Sequence, residues 1–226
     1  RALRGADHPA RGEQPRAGCG MSLADWPHLF VAGDPGSPVI VALHGTGGTE
    51  HDGVALAREI APGFAVLAPR GRVSEQGMNR WFRRLAEGVF DVDDVEARAD
   101  ELAAFVAEAA AEYDLAGRML VVAGFSNGAN MALATAIRHP QLLTRAIGFS
   151  GMYPFADRTP TDSLAGLEVL LLNGHDDPMA PRASVDRLHT VLTGLGAEST
   201  REERAGGHGI SAAELETARE WLAAHA

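Results

Sequence analysis

The sequence predicts an α/β protein with helices on both faces of a mostly parallel central sheet. Short apolar runs alternate with longer segments of helical periodicity along the chain, and this alternation is typical of a parallel sheet. The runs at residues 39–43 and 169–172 are continuously apolar, as expected for strands buried on both faces. The connection over residues 152–166 is too short for a large lid domain, so we expect a fairly open site.

Most of the predicted strands are short apolar runs that end at a turn or breaker residue. Pro69 ends one run, glycines end others, and the polar run near residue 200 suits only a short edge strand. In chain order, the predicted strands are residues 28–32, 39–43, 65–68, 119–123, 145–149, 168–173 and 199–204.

The predicted helices carry apolar residues at a spacing of three and four. In the longest helix these positions form one stripe, made of Leu102, Phe105, Val106, Ala109 and Tyr113. Ser211 and Glu214 fit a capping box, so the last helix should begin just after His208. The preceding helices are predicted, in chain order, at residues 52–60, 94–113, 129–137 and 185–195.

Composition and charge restrict the molecules that the protein is expected to bind and the compartment in which it is expected to act. Hydrophobic residues make up 46% of the 226 residues and charged residues 22%, which is ordinary for a soluble globular protein. The formal net charge of −10 disfavours a nucleic acid or an anionic membrane as partner, because both would repel the protein. The one cysteine, Cys19, excludes an intrachain disulfide and indicates a reducing compartment, so we expect a cytoplasmic protein. No apolar run approaches the ~20 residues that span a bilayer.

Residues 1–20 differ from the rest of the chain. They contain arginine, proline and glycine but almost no bulky apolar side chain, so they have little to bury. No apolar core follows the arginines, which argues against a secretory signal. We expect a mobile extension or a cloning remnant at residues 1–20 and a single α/β domain over residues 21–226.

A G-x-S-x-G motif, Gly124–Gly128, lies between a predicted strand and a predicted helix. In this context the serine, Ser126, sits on a sharp turn as an exposed nucleophile. The turn brings the flanking backbone together, so a Cβ at either glycine would crowd it, and it holds the serine at strained backbone angles. An ordinary glycine-rich loop or a phosphate-binding turn is the alternative, but the strand and helix on either side favour a nucleophile.

A second glycine-rich stretch, His44–Gly48, follows the predicted strand at residues 39–43. A loop at the carboxyl end of a central strand is where α/β sheets bind ligands. The G-x-G-x-x-G pattern and the Lys-Ser/Thr pair of phosphate-binding loops are both missing here. We therefore favour a loop that binds an oxyanion, with the Thr46 N–H as one donor, over a dinucleotide or phosphate loop.

A serine nucleophile needs a base, and nine histidines compete for that role. His208 is preferred because it lies in a glycine-rich loop between the last predicted strand and the last helix. A histidine there is able to reach over the carboxyl edge of the sheet. His28, His51 and His175 remain weak candidates, and the other histidines are predicted to cap helices, support loops or lie away from any strand end.

The acid that orients the base should follow a strand between the nucleophile and the base. Asp176 and Asp177 both do. Pro178 restricts the backbone of Asp177 to extended angles and so fixes its side-chain direction, which favours Asp177. A metal site built from His175, Asp176 and Asp177 is the alternative, but adjacent residues rarely point at one ion.

The stretch Arg70–Asp93 has little periodicity and is predicted as a long, functional loop. Its aromatic pair, Trp81 and Phe82, either walls an acyl or aryl pocket or simply packs the loop down. Together with Arg80, the pair is our candidate for the substrate pocket. Met179, two residues after the preferred acid, is a further candidate.

The chain order serine, aspartate, histidine is that of the α/β-hydrolases. From about Trp26 onward the chain resembles the phospholipase/carboxylesterase branch of that superfamily, the acyl-protein-thioesterase-like group. The matching blocks, in order and spacing, are Leu43–Gly48, Gly124–Gly128, Asp177–Pro181 and Gly207–His208. The resemblance implies the α/β-hydrolase fold and a catalytic triad of Ser126, Asp177 and His208. It also implies an oxyanion hole formed by the backbone N–H groups near Thr46 and of Asn127.

Arg80, Trp81 and Phe82 stand where the family has a Trp-Phe loop beside the substrate. Many relatives have aspartate after that pair, whereas this chain has Arg83. The residue after the elbow serine is Asn127 in place of the commoner glutamine. Relatives often form dimers, so a homodimer is also an expectation.

These observations predict a serine carboxylesterase that hydrolyses small carboxylic esters through an acyl-enzyme and needs no metal or organic cofactor. Hydrolysis of thioesters or lysophospholipids is a variant of the same chemistry. A dienelactone hydrolase would usually carry cysteine at the elbow, where this chain has Ser126, and a peptide hydrolase is another alternative on this fold. A binding module that had lost the chemistry would usually lack a triad residue, and here all three residues are present.

Overall fold

The short apolar runs of the sequence form the central strands of the structure, a computed structural model that describes residues 23–86 and 88–225. The predicted extension at residues 1–20, with Cys19, lies outside the described residues. In chain order, the strands are β1 (His28–Val31), β2 (Val39–Leu43), β3 (Ala65–Pro69), β4 (Val73–Glu75), β5 (Met78–Arg80), β6 (Arg84–Ala86), β7 (Val89–Phe90), β8 (Leu120–Phe125), β9 (Arg145–Phe149), β10 (Glu168–Gly174) and β11 (Glu198–Arg204).

The helices follow the segments of helical periodicity. In chain order they are a short 3-10 turn (Leu23–Asp25), then α1 (Glu50–Ile60), α2 (Val92–Glu112), α3 (Asn127–Arg138), α4 (Arg182–Gly194) and α5 (Ala212–His225). α2 begins before the predicted residue because Asp91 caps it, accepting a hydrogen bond from the Asp94 N–H. The predicted capping box of α5 is confirmed, since the Ser211 N–H and hydroxyl both donate to Glu214. No helix in the described part of the chain is long and apolar enough to cross a membrane.

Seven strands pair in the order β1-β3-β2-β8-β9-β10-β11. From β3 to β11 every neighbouring pair is parallel, and only β1 runs antiparallel, against β3. The mostly parallel sheet predicted from the sequence is therefore confirmed. In register, Leu43 of β2 lies beside Gly124 of β8, which lies beside Gly148 of β9. The carboxyl ends of the central strands consequently meet at one edge of the sheet.

Side chains of β2 alternate between two hydrophobic cores. Val39, Val41 and Leu43 pack on the side of α2, α3 and α4, whereas Ile40 and Ala42 pack on the side of α1 and α5. All five residues are fully buried. A continuous apolar run is thus required, because neither face of this strand meets water.

The stretch predicted as one long loop contains two small hairpins. β4 pairs with β5 and β6 pairs with β7, each in antiparallel fashion. Gln76 and Gly77 connect β4 to β5 with φ angles of 53° and 80°, as in the two-residue turn that matches the twist of paired strands. Strands of two or three residues are too short to produce a recognisable period in the sequence.

Gly124 and Gly128 lie where β8 passes the start of α3. A Cβ added to Gly124 would lie 2.5 Å from the backbone of Gly128, and one added to Gly128 would lie 2.4 Å from the carbonyl oxygens of Leu43 and His44. No side chain fits at either position, which confirms the steric argument made from the sequence. The close approach fixes α3 against β2 and β8.

We expect Gly124→Ala to lower the free energy of unfolding by about 3 kcal/mol or more, because the added methyl overlaps backbone atoms of α3. Gly194→Ala is the matched control. A Cβ at Gly194, at the end of α4, meets no atom within 4 Å, so that variant should be neutral or up to about 1 kcal/mol more stable. Urea unfolding followed by circular dichroism measures both. Equal stability of the two variants would contradict the packing argument.

Candidate active site

Ser126 stands at the turn between β8 and α3. Its backbone angles, φ 55° and ψ −118°, lie in a region that residues with a side chain seldom adopt. The surroundings hold it there, because the Ser126 N–H donates to the carbonyl of Phe149 at 2.9 Å and its own carbonyl accepts from Asn130 N at 3.0 Å. The turn therefore presents Ser126 at the carboxyl edge of the sheet, as the motif predicts.

His208 lies between Ser126 and Asp177. Its Nε2 is 2.9 Å from Ser126 Oγ, and its Nδ1 is 2.8 Å from Asp177 Oδ2. The carboxylate accepts from Nδ1–H, which leaves the lone pair of Nε2 free to accept the serine proton. The Phe125 ring packs against the imidazole with centroids 5.1 Å apart. The structure thus joins in one chain of hydrogen bonds the three residues singled out in the sequence.

Asp177 is almost fully buried, and both of its oxygens are engaged. Oδ1 accepts the backbone N–H groups of Met179 at 2.8 Å and Ala180 at 3.2 Å, while Oδ2 faces His208. The neighbouring Asp176 is exposed, so of the two aspartates it is Asp177 that contacts His208. In residues 23–86 and 88–225, no three His, Cys, Asp or Glu side chains lie close enough together to hold a metal ion.

His44 supports the loop that follows β2. The Gly71 N–H donates to its Nε2 at 2.9 Å, so Nδ1 carries the hydrogen and donates to the carbonyl of Gly45 at 2.6 Å. Burial lowers the pKa of His44, which keeps the ring neutral.

Just beyond this loop, the Arg70 guanidinium binds both carboxylate oxygens of Glu50 and lowers the pKa of Glu50 to about 2. The start of α1 is thereby tied to the end of β3.

Thr46 and Asn127, whose backbone N–H groups the sequence predicts as oxyanion donors, both line the cavity beside Ser126. Thr46 lies in the loop after β2, and Asn127 is the first residue of α3. Among the hydrogen bonds of the described residues, neither N–H is used as a donor within the protein. Unpaired N–H groups at the amino end of a helix favour negative charge.

Trp81 joins these two loops. Its backbone N–H donates to the side-chain oxygen of Asn127 at 2.8 Å, and its indole N–H donates to the carbonyl of His44 at 2.8 Å. The Trp81 side chain is only 3% exposed and Phe82 is fully buried, both within the larger core. The structure thus corrects the suggestion that these aromatic residues wall the pocket, because neither of them lines the cavity beside Ser126. They pack the loop against the core, and Trp81 also holds the loops of His44 and Asn127 together.

A small cavity of about 40 Å³ opens beside Ser126. Arg80 and Met179, both proposed from the sequence, lie on its wall. Arg80 is 5% exposed, donates to Thr46 Oγ1 at 3.2 Å and forms an ion pair with Glu75 at 3.1 Å, whereas Met179 is 49% exposed at the mouth. The complete lining is Thr46, Arg80, Arg84, Gly88, Phe90, Ser126, Asn127, Asn130 and Met179.

Sequence reasoning missed two polar or aromatic residues of this lining, Asn130 and Phe90, and considered Arg84 only as one of several arginines that could favour an acidic acyl group. Asn130 lies one helical turn after Ser126, so its spacing was a usable signal. Arg84 and Phe90 belong to the short hairpin β6–β7, and no periodicity in the sequence marks their direction. Residues that such short strands contribute to a pocket can be identified from the three-dimensional structure but not from the sequence pattern.

A serine on a strand–turn–helix elbow, with a histidine and an aspartate from loops at the same edge of a parallel sheet, defines the α/β-hydrolase class. The chain belongs to the phospholipase/carboxylesterase family, whose family model matches residues 27–226. It is 38% identical over 194 residues to the putative hydrolase MhqD of Bacillus subtilis (strain 168), an alignment that covers 86% of this chain and 96% of that protein.

Solved structures give the same assignment. The Bacillus cereus carboxylesterase superposes with a TM-score of 0.84 at 38% identity, covering 89% of this chain and 95% of that one. YahD, solved with malic acid, superposes with a TM-score of 0.82 at 31% identity, covering 88% of this chain and 98% of that one. The family and the relatives together place the protein among the carboxylesterase-type hydrolases.

We expect Trp81→Phe to lower kcat for a p-nitrophenyl ester about tenfold while KM changes less than twofold. Losing the indole–His44 hydrogen bond should loosen the loop that carries Thr46, and misaligning the oxyanion donor predicted there should cost less than the ~100-fold or more of deleting one.

Trp26→Phe is the matched control for this change. The Trp26 indole also donates to a backbone carbonyl, that of Arg70, at 2.8 Å, and the side chain is 6% exposed. Both variants should lose about 1–2 kcal/mol of stability in urea unfolding, but only Trp81→Phe should lose kcat. Equal kcat values in the two variants would rule out a role for Trp81 in aligning the site.

Proposed function

We propose that the protein is a serine carboxylesterase that hydrolyses small carboxylic esters through an acyl-enzyme on Ser126. The observation that carries this proposal is the pair of hydrogen bonds at His208, 2.9 Å to Ser126 and 2.8 Å to Asp177. A nucleophile, a base and an orienting acid within hydrogen-bond reach are what acyl transfer by serine requires.

In the acylation step, Ser126 Oγ attacks the ester carbonyl carbon while its proton passes to His208 Nε2. A tetrahedral oxyanion forms, and Asp177 stays ionised and stabilises the imidazolium. When the intermediate collapses, the bond to the alcohol oxygen breaks and His208 returns the proton to the leaving alcohol. Ser126 is left as an ester of the substrate acid.

In the deacylation step, water takes the place of the alcohol. His208 Nε2 accepts a proton from the water as its oxygen attacks the acyl carbon, and a second oxyanion forms. Collapse breaks the bond to Ser126 Oγ, which receives the proton from His208. The carboxylic acid leaves and the free serine is restored, so one water is consumed for each ester cleaved.

The Thr46 and Asn127 N–H groups are suited to stabilise both oxyanions. Neither is used inside the protein among the described residues, and the Asn127 N–H belongs to the first turn of α3, where the helix dipole adds to the attraction. Donors that are already oriented need no rearrangement as the charge develops. This arrangement supports electrostatic stabilisation of the transition state.

The size of the cavity supports short acyl groups. A space of about 40 Å³ beside Ser126 holds few atoms, so a long acyl chain would have to lie outside it. The half-exposed Met179 at the mouth gives the alcohol portion an apolar surface. Small carboxylic esters therefore fit better than lysophospholipids or acylated proteins, the main alternatives within the same chemistry.

We expect the rate of p-nitrophenyl ester hydrolysis to be highest for short acyl chains and to fall as the chain lengthens, because long chains exceed the cavity. Ser126→Ala should abolish this activity together with covalent labelling by an organophosphonate. A maximum at long chains would instead favour lipid or acyl-protein substrates. Activity that survives in Ser126→Ala would mean that another group is the nucleophile, and a wild-type protein that is neither active nor labelled would be a binding module.

Asp177→Asn should reduce kcat by roughly 10³–10⁴-fold, because an amide at this position no longer holds the tautomer of His208 or balances its charge. Asp176→Asn is the matched control: it is the adjacent residue, it makes the same chemical change, and its side chain is exposed. We expect its kcat to stay within about twofold of wild type. Steady-state kinetics on a short-chain ester compares the two, and a larger loss in Asp176→Asn would reverse the assignment.

A further inference from the structure

The loop that carries His208 contains Gly206, Gly207 and Gly209. Gly206 has φ of 107° and Gly209 has φ of 155°, angles that glycine adopts more readily than other residues. A segment of this composition has little conformational preference of its own. Because displacing a catalytic group by ~1 Å can cost on the order of 100-fold in rate, groups outside the loop must hold its backbone.

Arg204, the last residue of β11, binds this backbone at three carbonyl oxygens. Its Nη2 donates to the carbonyl oxygens of Gly207 and Gly209, both at 2.9 Å, and so binds the residue before His208 and the residue after it. Its Nη1 donates to the carbonyl of Ala205 at 3.1 Å. The planar guanidinium is suited to this arrangement, because it presents several donors in a fixed geometry.

Arg204 is itself fixed by two neighbours. Its Nε donates to Glu214 at 2.6 Å, and Glu214 is 5% exposed. Its own backbone carbonyl accepts the His175 N–H at 2.8 Å, at the start of the segment that leads to Asp177. The same residue is thus connected to the loop of the base and to the loop of the acid.

The ion pair with Glu214 also matters electrostatically. During the reaction His208 becomes an imidazolium, and an unbalanced positive charge nearby would oppose that change. The Glu214 carboxylate offsets the charge of Arg204, so the guanidinium supplies its hydrogen bonds with little electrostatic penalty. Ser150 adds a smaller constraint, because its hydroxyl donates to the carbonyl of Gly209 at 3.1 Å.

We propose that Arg204 is a positioning residue that sets the His208 ring between Ser126 and Asp177. The proposal rests on the proposed function, in which His208 is the base. Arg204 is not among the residues that line the cavity beside Ser126, so it acts on the reaction through His208.

The test compares Arg204→Lys with Arg118→Lys in the full-length chain. Lysine keeps the positive charge but has one ammonium group, which cannot replace a fork that binds three carbonyls. Arg118 is the matched control because its guanidinium also donates to a loop carbonyl, that of Ser37, at 2.5 Å, in a turn outside the site. Each variant is measured for kcat and KM on a short-chain p-nitrophenyl ester, with the active fraction counted by organophosphonate titration.

We expect Arg204→Lys to lower kcat per labelled site about 10–100-fold with KM within twofold, and Arg118→Lys to leave both unchanged. The low-field proton NMR signal of the His208 ring N–H, identified by its loss in His208→Gln, should broaden or shift in Arg204→Lys only. A purely structural role would lower stability without moving this signal. Equal kcat and an unchanged signal in the two variants would overturn the proposal.

Glu214→Gln keeps the test decisive if Arg204→Lys does not fold. This substitution removes the charge that holds Arg204 but preserves the shape of the side chain, so we expect a smaller loss of kcat and a shift of the same NMR signal. An unchanged kcat and signal in Glu214→Gln would count against the proposal. Failure of the proposed function is a separate result, since it would appear as a wild-type protein that neither hydrolyses esters nor takes up the phosphonate.

Discussion

The close approach of backbone at Gly124 and Gly128 is the constraint on which the rest of the structure depends. A Cβ at Gly128 would lie 2.4 Å from the carbonyls that end β2, and one at Gly124 would lie 2.5 Å from the start of α3. With both side chains absent, the chain turns sharply enough to hold Ser126 at a positive φ above the sheet edge. The same packing places the first turn of α3 beside the loop that carries Thr46, so the positions of Ser126 and of the two proposed oxyanion donors depend on the same contact.

Much of this arrangement could be predicted from the sequence because its signals are local. The continuous apolar run of β2 predicted a strand buried on both faces, and the structure buries all five of its residues. The glycines of the elbow impose their effects within a few residues. The order of strands and helices then brought the loops of Ser126, Asp177 and His208 to one edge, since parallel strands all end there.

The supporting residues could not be found in the same way. Trp81 binds partners 46 and 37 positions away, and no period in its surroundings indicates that direction. Arg204 ends a strand whose polar composition predicts only an exposed edge, and three of its partners are backbone carbonyls, which every residue possesses. Aromatic residues beside arginines suggested a pocket wall, but burial of a large ring in the core was the stronger effect. Contacts of this kind depend on the assembled fold.

Glu214 takes part in two structures at once, since the oxygen that accepts from Ser211 at the start of α5 also accepts from Arg204. The first turn of the C-terminal helix and the loop of His208 therefore form one cooperative unit. A fluctuation that frays this turn would release Arg204 and remove the support that we propose it gives to His208, while the central sheet is still intact. The protein would then pass through a state in which the sheet is folded but His208 is not held in place, so the first turn of α5 would be the part of the proposed site that heating disrupts first.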